Sequence, residues 1–295
     1  VDGYTTNLPE GVSTSFDGVM LEGGKGTNAG DYPYTFANGT IGKVSSDNNY
    51  VVTQTMPGNL HISPVADEVV VKIAGKAGTE KYNGKQQTVS GWDVTEAPDG
   101  FDQSKVTLAE GATAEAKGKD AGTYYMGLTA ASFVSADGNY AKVKFEVVDG
   151  SLEITKRKVT LWSEDGHKNY DGSTLQRQTN IRVDGTKDVY DNDKDTTTQK
   201  TFEGDGFVEG EGVNNKNVKW FDENNIAPGC YDNKFECEPR SGTNFDNYEI
   251  TYEYGKLYVN KRADNKKYEV TVKGASGTSV YDGQPHSATG LETTS

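Results

Sequence analysis

The chain has 295 residues, of which 33% are hydrophobic and 10% aromatic, and it carries a formal net charge of −14. That length suits two or three domains, and the low apolar content favours several small cores over one large core. The acidic balance argues against nucleic acid and against anionic membrane surfaces as partners, because both attract basic proteins. The 35 glycines and 17 tyrosines are typical of short strands joined by tight turns.

No apolar run approaches the ~20 residues of a membrane helix, so we expect no membrane insertion. Neither a signal peptide nor a sorting motif is recognisable at the ends. Such a chain is either cytosolic or an internal fragment of a longer secreted protein, and its repeats favour the fragment.

Three short motifs recur in fixed order along the chain. The first is Tyr-Asx-Gly, with Tyr82 and Gly84, Tyr170 and Gly172, and Tyr281 and Gly283. The second is Gly-x-Tyr, with Tyr32, Tyr124 and Tyr231. The third is Asn-Tyr followed by a strand and Gly-x-Leu-x-Ile/Val, with Tyr50, Tyr140 and Tyr248.

The spacing of these motifs defines a tandem array. Tyr50 and Tyr140 are 90 residues apart, and Tyr140 and Tyr248 are 108 apart. An array with an insertion in its third unit explains both numbers. The predicted units are 1–64, which lacks its opening strands, 65–156, 157–261 with a polar loop insertion at about 183–218, and 262–295, which holds the opening strands of a further unit.

Within each unit the hydrophobic period is that of strands. Val69, Val71 and Ile73 alternate with polar or opposite-facing residues. About seven such strands in ~90 residues predict an all-β fold of tandem immunoglobulin-like β-sandwich repeats in an elongated array. The alternative is a β-grasp-like repeat, in which Thr129–Val134 would form a short helix.

The tyrosine of Asn-Tyr opens the penultimate strand, where a tyrosine corner would place its hydroxyl on the preceding turn. After Tyr248 the inward-facing residues lie an even number of positions further along the chain, whereas after Tyr140 they lie an odd number of positions further. A β-bulge in one copy would explain the difference.

The motif set resembles the YDG/MBG-type repeats of large bacterial cell-surface proteins. The resemblance rests on Tyr-Asp-Gly, on Gly-Thr-Tyr-Tyr at 122–125, and on Asn-Tyr followed by Asp-Gly-Ser-Leu-Glu-Ile at 149–154. It covers essentially the whole chain and implies an extracellular stalk or adhesin region on a bacterial surface. It implies no catalytic residues and no cofactor.

Candidate chemistry is sparse, so we expect no enzyme. The three histidines, His61, His167 and His286, lie apart from one another without metal-ligand spacing. The run Asp191-Asn192-Asp193-Lys194-Asp195 resembles the opening of a calcium loop, although it lacks the glycine and glutamate of an EF-hand. Asp191, Asp193 and Asp195 are therefore a candidate metal site, weighed against an ordinary solvated turn.

Cys230 and Cys237 are a candidate disulfide pair. If Gly229-Cys230-Tyr231 runs as Gly122-Thr123-Tyr124 does, the two cysteines lie along one strand about 23 Å apart, beyond bonding reach. If Asn233-Lys234 instead turns a hairpin, the cysteines face each other and bond, as an extracellular location favours. Trp162 is a candidate ligand contact, because Val159 and Leu161 take the inward parity and leave its indole outside.

These observations support three functional hypotheses. The first is a structural stalk whose partners are neighbouring repeats. The second is an adhesive module for a host or environmental glycan or protein, using the insertion and its aromatic residues. The third is a fibre subunit, in which residues 262–295 donate strands to the incomplete unit 1–64 of another copy.

Overall fold

A computed structural model describes residues 21–36, 54, 56–177, 179–221, 226–263 and 266–293 of the chain. The chain divides into two compact units, Val1–Thr155 and Lys156–Ser295. Strands account for 50% of the described residues and helices for 4%. The predicted all-β class is therefore confirmed.

The strands of the first unit are short and numerous. Their bounds are β1 Leu21–Gly23, β2 Gly30–Phe36, β3 Gly58–Ile62, β4 Val65–Gly75, β5 Ala77–Lys81, β6 Gln87–Ser90, β7 Trp92–Glu96, β8 Val106–Leu108, β9 Glu115–Gly118, β10 Gly122–Tyr125, β11 Phe133–Ser135, β12 Tyr140–Val148 and β13 Ser151–Thr155. Two 3-10 turns, Gln103–Lys105 and Ala130–Ser132, separate some of them.

The second unit is built from similar pieces. Its strands are β14 Arg157–Ser163, β15 Gly166–Asn169, β16 Ile181–Val183, β17 Gly185–Asp191, β18 Thr196–Phe202, β19 Lys219–Trp220, β20 Gly229–Asn233, β21 Phe235–Glu236, β22 Tyr248–Glu253, β23 Gly255–Asn260, β24 Val272–Gly274 and β25 Leu291–Thr293. A 3-10 turn at Phe245–Asn247 precedes β22.

Residues 65–155 form a repeat whose first and last strands each cross between two sheets. β4 pairs in parallel with β12, and after one intervening residue β5 pairs in parallel with β13. β7 lies antiparallel to β4, and β10 lies antiparallel to β13. The sheet orders are therefore β12-β4-β7 and β10-β13-β5. About seven strands were expected here and ten are found, partly because these crossings divide long strands in two.

Residues 156–260 repeat this scheme. β14 pairs in parallel with β22 and antiparallel with β16, while β15 pairs in parallel with β23, which lies antiparallel to β20. Among the described residues of the first repeat, the closing strand β3 pairs with β2 in the same antiparallel way. The repeats predicted from the motifs therefore share one pattern of strand pairing.

The core of the 65–155 repeat lies along the alternating faces of its strands. Val71 and Ile73 of β4 are buried, whereas Lys72 between them is exposed. Phe133 lies edge-on to Trp92, with ring centroids 5.0 Å apart, and 6.0 Å from the ring of Phe145. These aromatic contacts join the β12-β4-β7 sheet to the β8–β11 pair.

Two local predictions have clear outcomes. The register between β4 and β12 shifts between Tyr140 and Lys142, whereas β14 and β22 pair without a shift. The β-bulge inferred from the mismatched parity is thus confirmed. The Thr129–Val134 segment contains one 3-10 turn, Ala130–Ser132, and the turns at Gln103–Lys105 and Phe245–Asn247 also have three residues each. The helix that a β-grasp unit would need is not among them.

The insertion near 183–218 was predicted to lie in loops, and that is wrong for its first half. β17 and β18 form a hairpin in which Gly185 faces Phe202 and Asp191 faces Thr196. Threonine, valine and tyrosine favour strands, and the polar turn Asn192–Asp195 reverses the chain between them. Within the part of the chain that the structure describes, no helix is long and apolar enough to cross a membrane.

Candidate functional site

The Tyr-Asx-Gly motif forms the same turn in all three copies. The side-chain oxygen of Asn83, Asp171 or Asp282 accepts a hydrogen bond from the backbone N–H two residues later, at 2.9 Å each time. The intervening glycine has a φ of +76°, +81° or +76°, a left-handed conformation that side chains disfavour. The motif is therefore an Asx-turn, which in the second and third repeats directly follows the opening strands β5 and β15.

The Gly-x-Tyr motif makes a second repeated contact. The hydroxyls of Tyr32, Tyr124 and Tyr231 donate to the backbone carbonyl four residues upstream, at 2.8, 3.0 and 2.9 Å. This is the contact of a tyrosine corner. The sequence-based assignment to the Asn-Tyr tyrosines is wrong, because the hydroxyl of Tyr140 reaches Asp99 O, 41 residues away, at 2.9 Å. Tyr50 lies outside the described residues.

The corner predicts a measurable contribution to stability. Tyr124→Phe removes the hydroxyl that donates to Asp120 O, and we expect the free energy of unfolding of the first unit to fall by about 1 kcal/mol. Hydrogen–deuterium exchange of peptides from residues 65–155 across a urea series measures this, since it follows the repeat that contains Tyr124. Tyr125→Phe is the matched control, because the adjacent side chain is 69% exposed. Equal losses in both variants would contradict the corner assignment.

Tyr248 of the Asn-Tyr motif is buried and makes a different contact. Its hydroxyl donates to Glu211 Oε2 at 2.7 Å and accepts a hydrogen bond from the N–H of Val208 at 3.1 Å. Burial, and then the hydrogen bond to Glu211, raise the pKa of Tyr248 to about 12. The phenol therefore stays protonated in the folded protein at pH values where it ionises in the unfolded chain.

This raised pKa predicts an alkaline weakening of the second unit. Below pH 10 both states hold the proton, so the contribution of Tyr248 to stability is fully present. Between pH 10 and about 12 the unfolded phenol ionises first, and stability falls as pH rises. We expect Tyr248→Phe to be the less stable protein at pH 9 and the difference to narrow by pH 11.5, as measured by urea denaturation. A difference that stays constant with pH would contradict this.

The three motifs meet in one core. In the second unit, Tyr170 and Tyr231 pack against Leu257 and Val259 of the Gly-x-Leu-x-Val strand, together with Leu175. In the 65–155 repeat the corresponding Tyr82, Leu152 and Ile154 are also buried. The motifs are thus widely spaced in the sequence because they lie on strands that are neighbours in space.

The glycine of the third motif lies where the closing strand passes the bend of the opening strand. A Cβ on Gly150 would lie 2.6 Å from Lys76 O, and one on Gly255 would lie 2.1 Å from Glu164 O. The N–H of Gly255 donates to Ser163 Oγ, and the hydroxyl of Ser163 donates to Asn233 O. Close approach of two backbones therefore explains this glycine in both complete repeats.

The candidate calcium site at the β17–β18 turn is not formed. The carboxylate of Asp191 accepts hydrogen bonds from the N–H groups of Asp193 and Lys194. It also forms an ion pair with Lys194 Nζ at 2.8 Å. Asp195 accepts the hydroxyl of Tyr190 at 2.7 Å. The carboxylates of Asp191 and Asp195 thus point to different partners, and the described residues contain no group of three or more His, Cys, Asp or Glu suited to a metal ion.

The histidines also lie in separate places. His61 pairs with Asp31 at 2.7 Å and His286 with Asp282 at 2.8 Å, both exposed. The ring of His167 stacks on Tyr190, with centroids 3.9 Å apart. The structure brings no two of them together, so they form no shared site in the described part of the chain.

Cys230 and Cys237 are both free thiols, so the disulfide of the hairpin alternative is not formed. Cys230 lies in β20 opposite Tyr258 of β23, and Cys237 follows β21 with its Sγ 3.8 Å from the hydroxyl of Tyr252. Burial raises the pKa of the Cys237 thiol. The two cysteines therefore lie beside different residues, Cys230 beside Tyr258 and Cys237 beside Tyr252.

The expectation of an exposed Trp162 is wrong, because its side chain is only 6% exposed. Its indole N–H donates to Asp184 O at 2.8 Å, and its ring lies 6.0 Å from Phe202. Both partners belong to the insertion, which covers the outer face of β14. The alternation of side chains along β14 shows which face Trp162 lies on, but it cannot show that a later segment packs on that face.

Two aspartates that hold the insertion escaped the sequence analysis. Asp184 has a φ of +43°, and its carboxylate accepts the N–H groups of Thr160 and Gly206. Asp165 forms an ion pair with Lys187 at 2.8 Å, and both side chains are 6% exposed. Their partners lie more than 20 residues away, so no local pattern distinguishes them from the many other acidic residues.

An open cleft of about 680 Å³ lies between the inserted hairpin and the edge formed by β20 and β23. Tyr190, Asn192, Cys230, Tyr258 and Lys261 contribute to its lining. Asn192 Oδ1 is buried there without a hydrogen-bond partner.

Comparison with known proteins yields no relative: no family model matches the chain, and neither does any curated protein or solved structure.

Proposed function

We propose that this chain is a non-enzymatic structural repeat region, a stalk, of an extracellular bacterial surface protein. The proposal adds to the all-β class that its repeats are immunoglobulin-like sandwiches arranged in an elongated array, as the number and spacing of the strands suggest, and the YDG/MBG resemblance implies the stalk. The observation that carries it is the recurrence of one strand-pairing scheme, with the same turn and the same tyrosine corner, in successive repeats.

A contact inside the first unit supports the array. The N–H of Ala29 donates to Asn139 Oδ1 at 2.7 Å, and Asn139 Nδ2 donates to Asn28 Oδ1 at 3.3 Å. Asn139 belongs to the Asn-Tyr motif, and residues 28–29 directly precede Gly-x-Tyr of the first repeat. A junction built from repeated motifs can recur at each step, so stability becomes a sum of repeat and junction contributions.

The net charge of −14 also suits a stalk. An acidic surface keeps crowded, exposed chains soluble and apart from one another. Small-angle X-ray scattering extrapolated to infinite dilution tests the array. A compact chain of this length would have a radius of gyration of about 19 Å, and we expect a clearly larger value. A value near 19 Å would contradict the proposal.

A second candidate, an adhesive module for glycans or proteins, is favoured by the cleft beside the inserted hairpin. Its tyrosine edge and amide oxygen are groups that stack on and hydrogen-bond to sugars. Screening immobilised glycans with the protein and with Tyr258→Ala tests it, and Tyr125→Ala is the control. Binding that survives Tyr258→Ala, or no binding at all, would contradict the use of this cleft.

A further inference from the structure

An ion pair between the inserted hairpin and the bend before β15 is enclosed by protein. Asp165 lies between β14 and β15, and Lys187 lies in β17. Lys187 Nζ is 2.8 Å from Asp165 Oδ1, and the two side chains are each 6% exposed. Lys200, which faces Lys187 across the hairpin, instead pairs with Glu253 at 3.2 Å, and those two side chains are 53% and 40% exposed. The Asp165–Lys187 pair is therefore held away from water, unlike its neighbour.

Burial changes the chemistry that is open to this pair. Two opposite ions taken out of water lose their hydration, which is costly. Passage of a proton from the Lys187 ammonium to the Asp165 carboxylate along the 2.8 Å contact leaves a neutral amine beside a neutral carboxylic acid. An uncharged amine has a free lone pair and is a nucleophile, whereas an ammonium is not. The enclosed pair can therefore present a nucleophile directly to a carboxyl group.

Two backbone N–H groups fix the orientation of the Asp165 carboxyl group. The N–H of Lys256 donates to Oδ1 at 2.8 Å, and the N–H of Tyr190 donates to Oδ2 at 2.9 Å. Reaction needs Nζ within about 3–3.5 Å of the carboxyl carbon, and an amine already in contact with an oxygen on that carbon reaches this range by a small rotation. The same N–H groups stabilise the negative charge that forms on the oxygens when an amine adds to the carbon.

We propose that Lys187 and Asp165 form an intramolecular isopeptide bond. Lys187 Nζ attacks Asp165 Cγ, a C–N bond forms, and the C–O bond to the carboxyl hydroxyl breaks. The hydroxyl takes a proton from the nitrogen and leaves as water, so the step needs no oxidant or other co-reactant. Because both side chains are enclosed, bulk water has little access to hydrolyse the amide that results. The ion pair of the structure is the unreacted state of this site.

The bond joins two segments that are distant in the sequence. It closes a covalent loop over residues 165–187, which includes β15, the Tyr170 turn and Leu175 of the core. A chain linked in this way keeps the inserted hairpin beside the bend when the unit unfolds, since a cross-link restricts the unfolded state. In Asp165→Ala the bond cannot form, and Lys187 keeps its ammonium. The inference does not depend on the proposed function.

Intact-protein mass spectrometry under denaturing conditions tests the bond. The protein is purified in its folded state and then unfolded for the measurement. We expect the parent chain to weigh one water molecule less than its sequence, because condensation releases one water. A parent mass equal to that of the sequence would overturn the proposal.

A pair of variants separates this bond from another route to the same mass. Asp165 is followed by Gly166, and an Asp-Gly pair can also lose water when the glycine nitrogen attacks the side chain and forms a cyclic imide. Lys187→Arg retains that route but removes the amine, so we expect its mass to equal that of its sequence. Asp188→Ala, at the neighbouring exposed residue, is the matched control and is expected to keep the water loss. A water loss in both variants, or in neither, would overturn the assignment to Lys187.

Peptide mapping locates the bond. Trypsin does not cleave after an acylated lysine, so the bond predicts a branched product in which peptide 159–168 is joined to peptide 183–194. Without the bond, cleavage after Lys187 gives 159–168 and 183–187 as separate linear peptides. We expect tandem mass spectrometry to find the branched product, with fragment ions from both arms. Recovery of the linear peptides alone, at their full masses, would contradict the bond.

The bond and the proposed function fail separately. Mass spectrometry decides the bond whatever the shape of the protein, and scattering at infinite dilution decides the array whatever the covalent state. An elongated protein of full mass would overturn the bond and retain the stalk. A compact protein that lacks one water would retain the bond and overturn the stalk.

Discussion

Asp165→Ala is expected to destabilise the second unit by about 3–5 kcal/mol, the cost of leaving a buried charge without its partner. Asp165 is an acceptor on which three segments converge. Its Oδ1 accepts from Lys187 Nζ and the N–H of Lys256, both at 2.8 Å, and its Oδ2 accepts from the N–H of Tyr190 at 2.9 Å. Removing the carboxylate leaves the ammonium of Lys187 buried and releases the inserted hairpin.

Hydrogen–deuterium exchange with mass spectrometry measures this effect by segment. Peptides from β17 and β18 are expected to lose protection most, while peptides from 65–155 keep theirs. A double variant, Asp165→Leu with Lys187→Met, removes both charges and is expected to recover only the part of the loss that comes from the unpaired ammonium, because the N–H groups of Tyr190 and Lys256 still lack their acceptor. A double variant as unstable as Asp165→Ala would show that the charge is not the cause.

Gly255→Ala is expected to cost the second unit about 3 kcal/mol, near the upper end of the usual cost of overpacking. The new Cβ would lie 2.1 Å from Glu164 O and 2.5 Å from its carbonyl carbon. Both are backbone atoms, so relief requires the two strands to separate at the bend, and the bonds from Gly255 N to Ser163 and from Ser163 to Asn233 would lengthen.

Gly138→Ala is the matched control, because nothing lies within 4 Å of its added Cβ. Peptide-level hydrogen–deuterium exchange across a urea series reports on the two units separately, with peptides from 156–260 for the second and from 65–155 for the first. We expect Gly255→Ala to shift the second-unit transition and Gly138→Ala to leave both transitions nearly unchanged. A Gly255→Ala protein with the stability of the parent would contradict the close approach.

The candidate sites show how far sequence patterns reach. Trp162 had the outward parity of an exposed residue, yet the insertion lies over it through Asp184 and Phe202. Parity describes one strand, whereas burial depends on every segment that packs on it. The three aspartates of the turn after β17 had the composition of a cation site, but composition says nothing about where each carboxylate points.

Local patterns were sufficient where the physics is local. The Asx-turn of Tyr-Asx-Gly depends on a side chain two residues from its donor and on a glycine φ, and the alternation of Val71 and Ile73 follows from the two-residue period of a strand. Even the bulge at Tyr140 was visible, because a register shift reverses the parity of every later residue.

By itself the sequence determined the all-β class, the repeated motifs and the bulge, since each depends on residues close together along the chain. The corner was assigned to the wrong tyrosine even though its hydroxyl contacts a carbonyl only four residues upstream. Tertiary structure alone decided that opening and closing strands pair in parallel and that the insertion lies over Trp162. Those features join residues tens of positions apart, and their energies come from packing that appears only when distant strands meet.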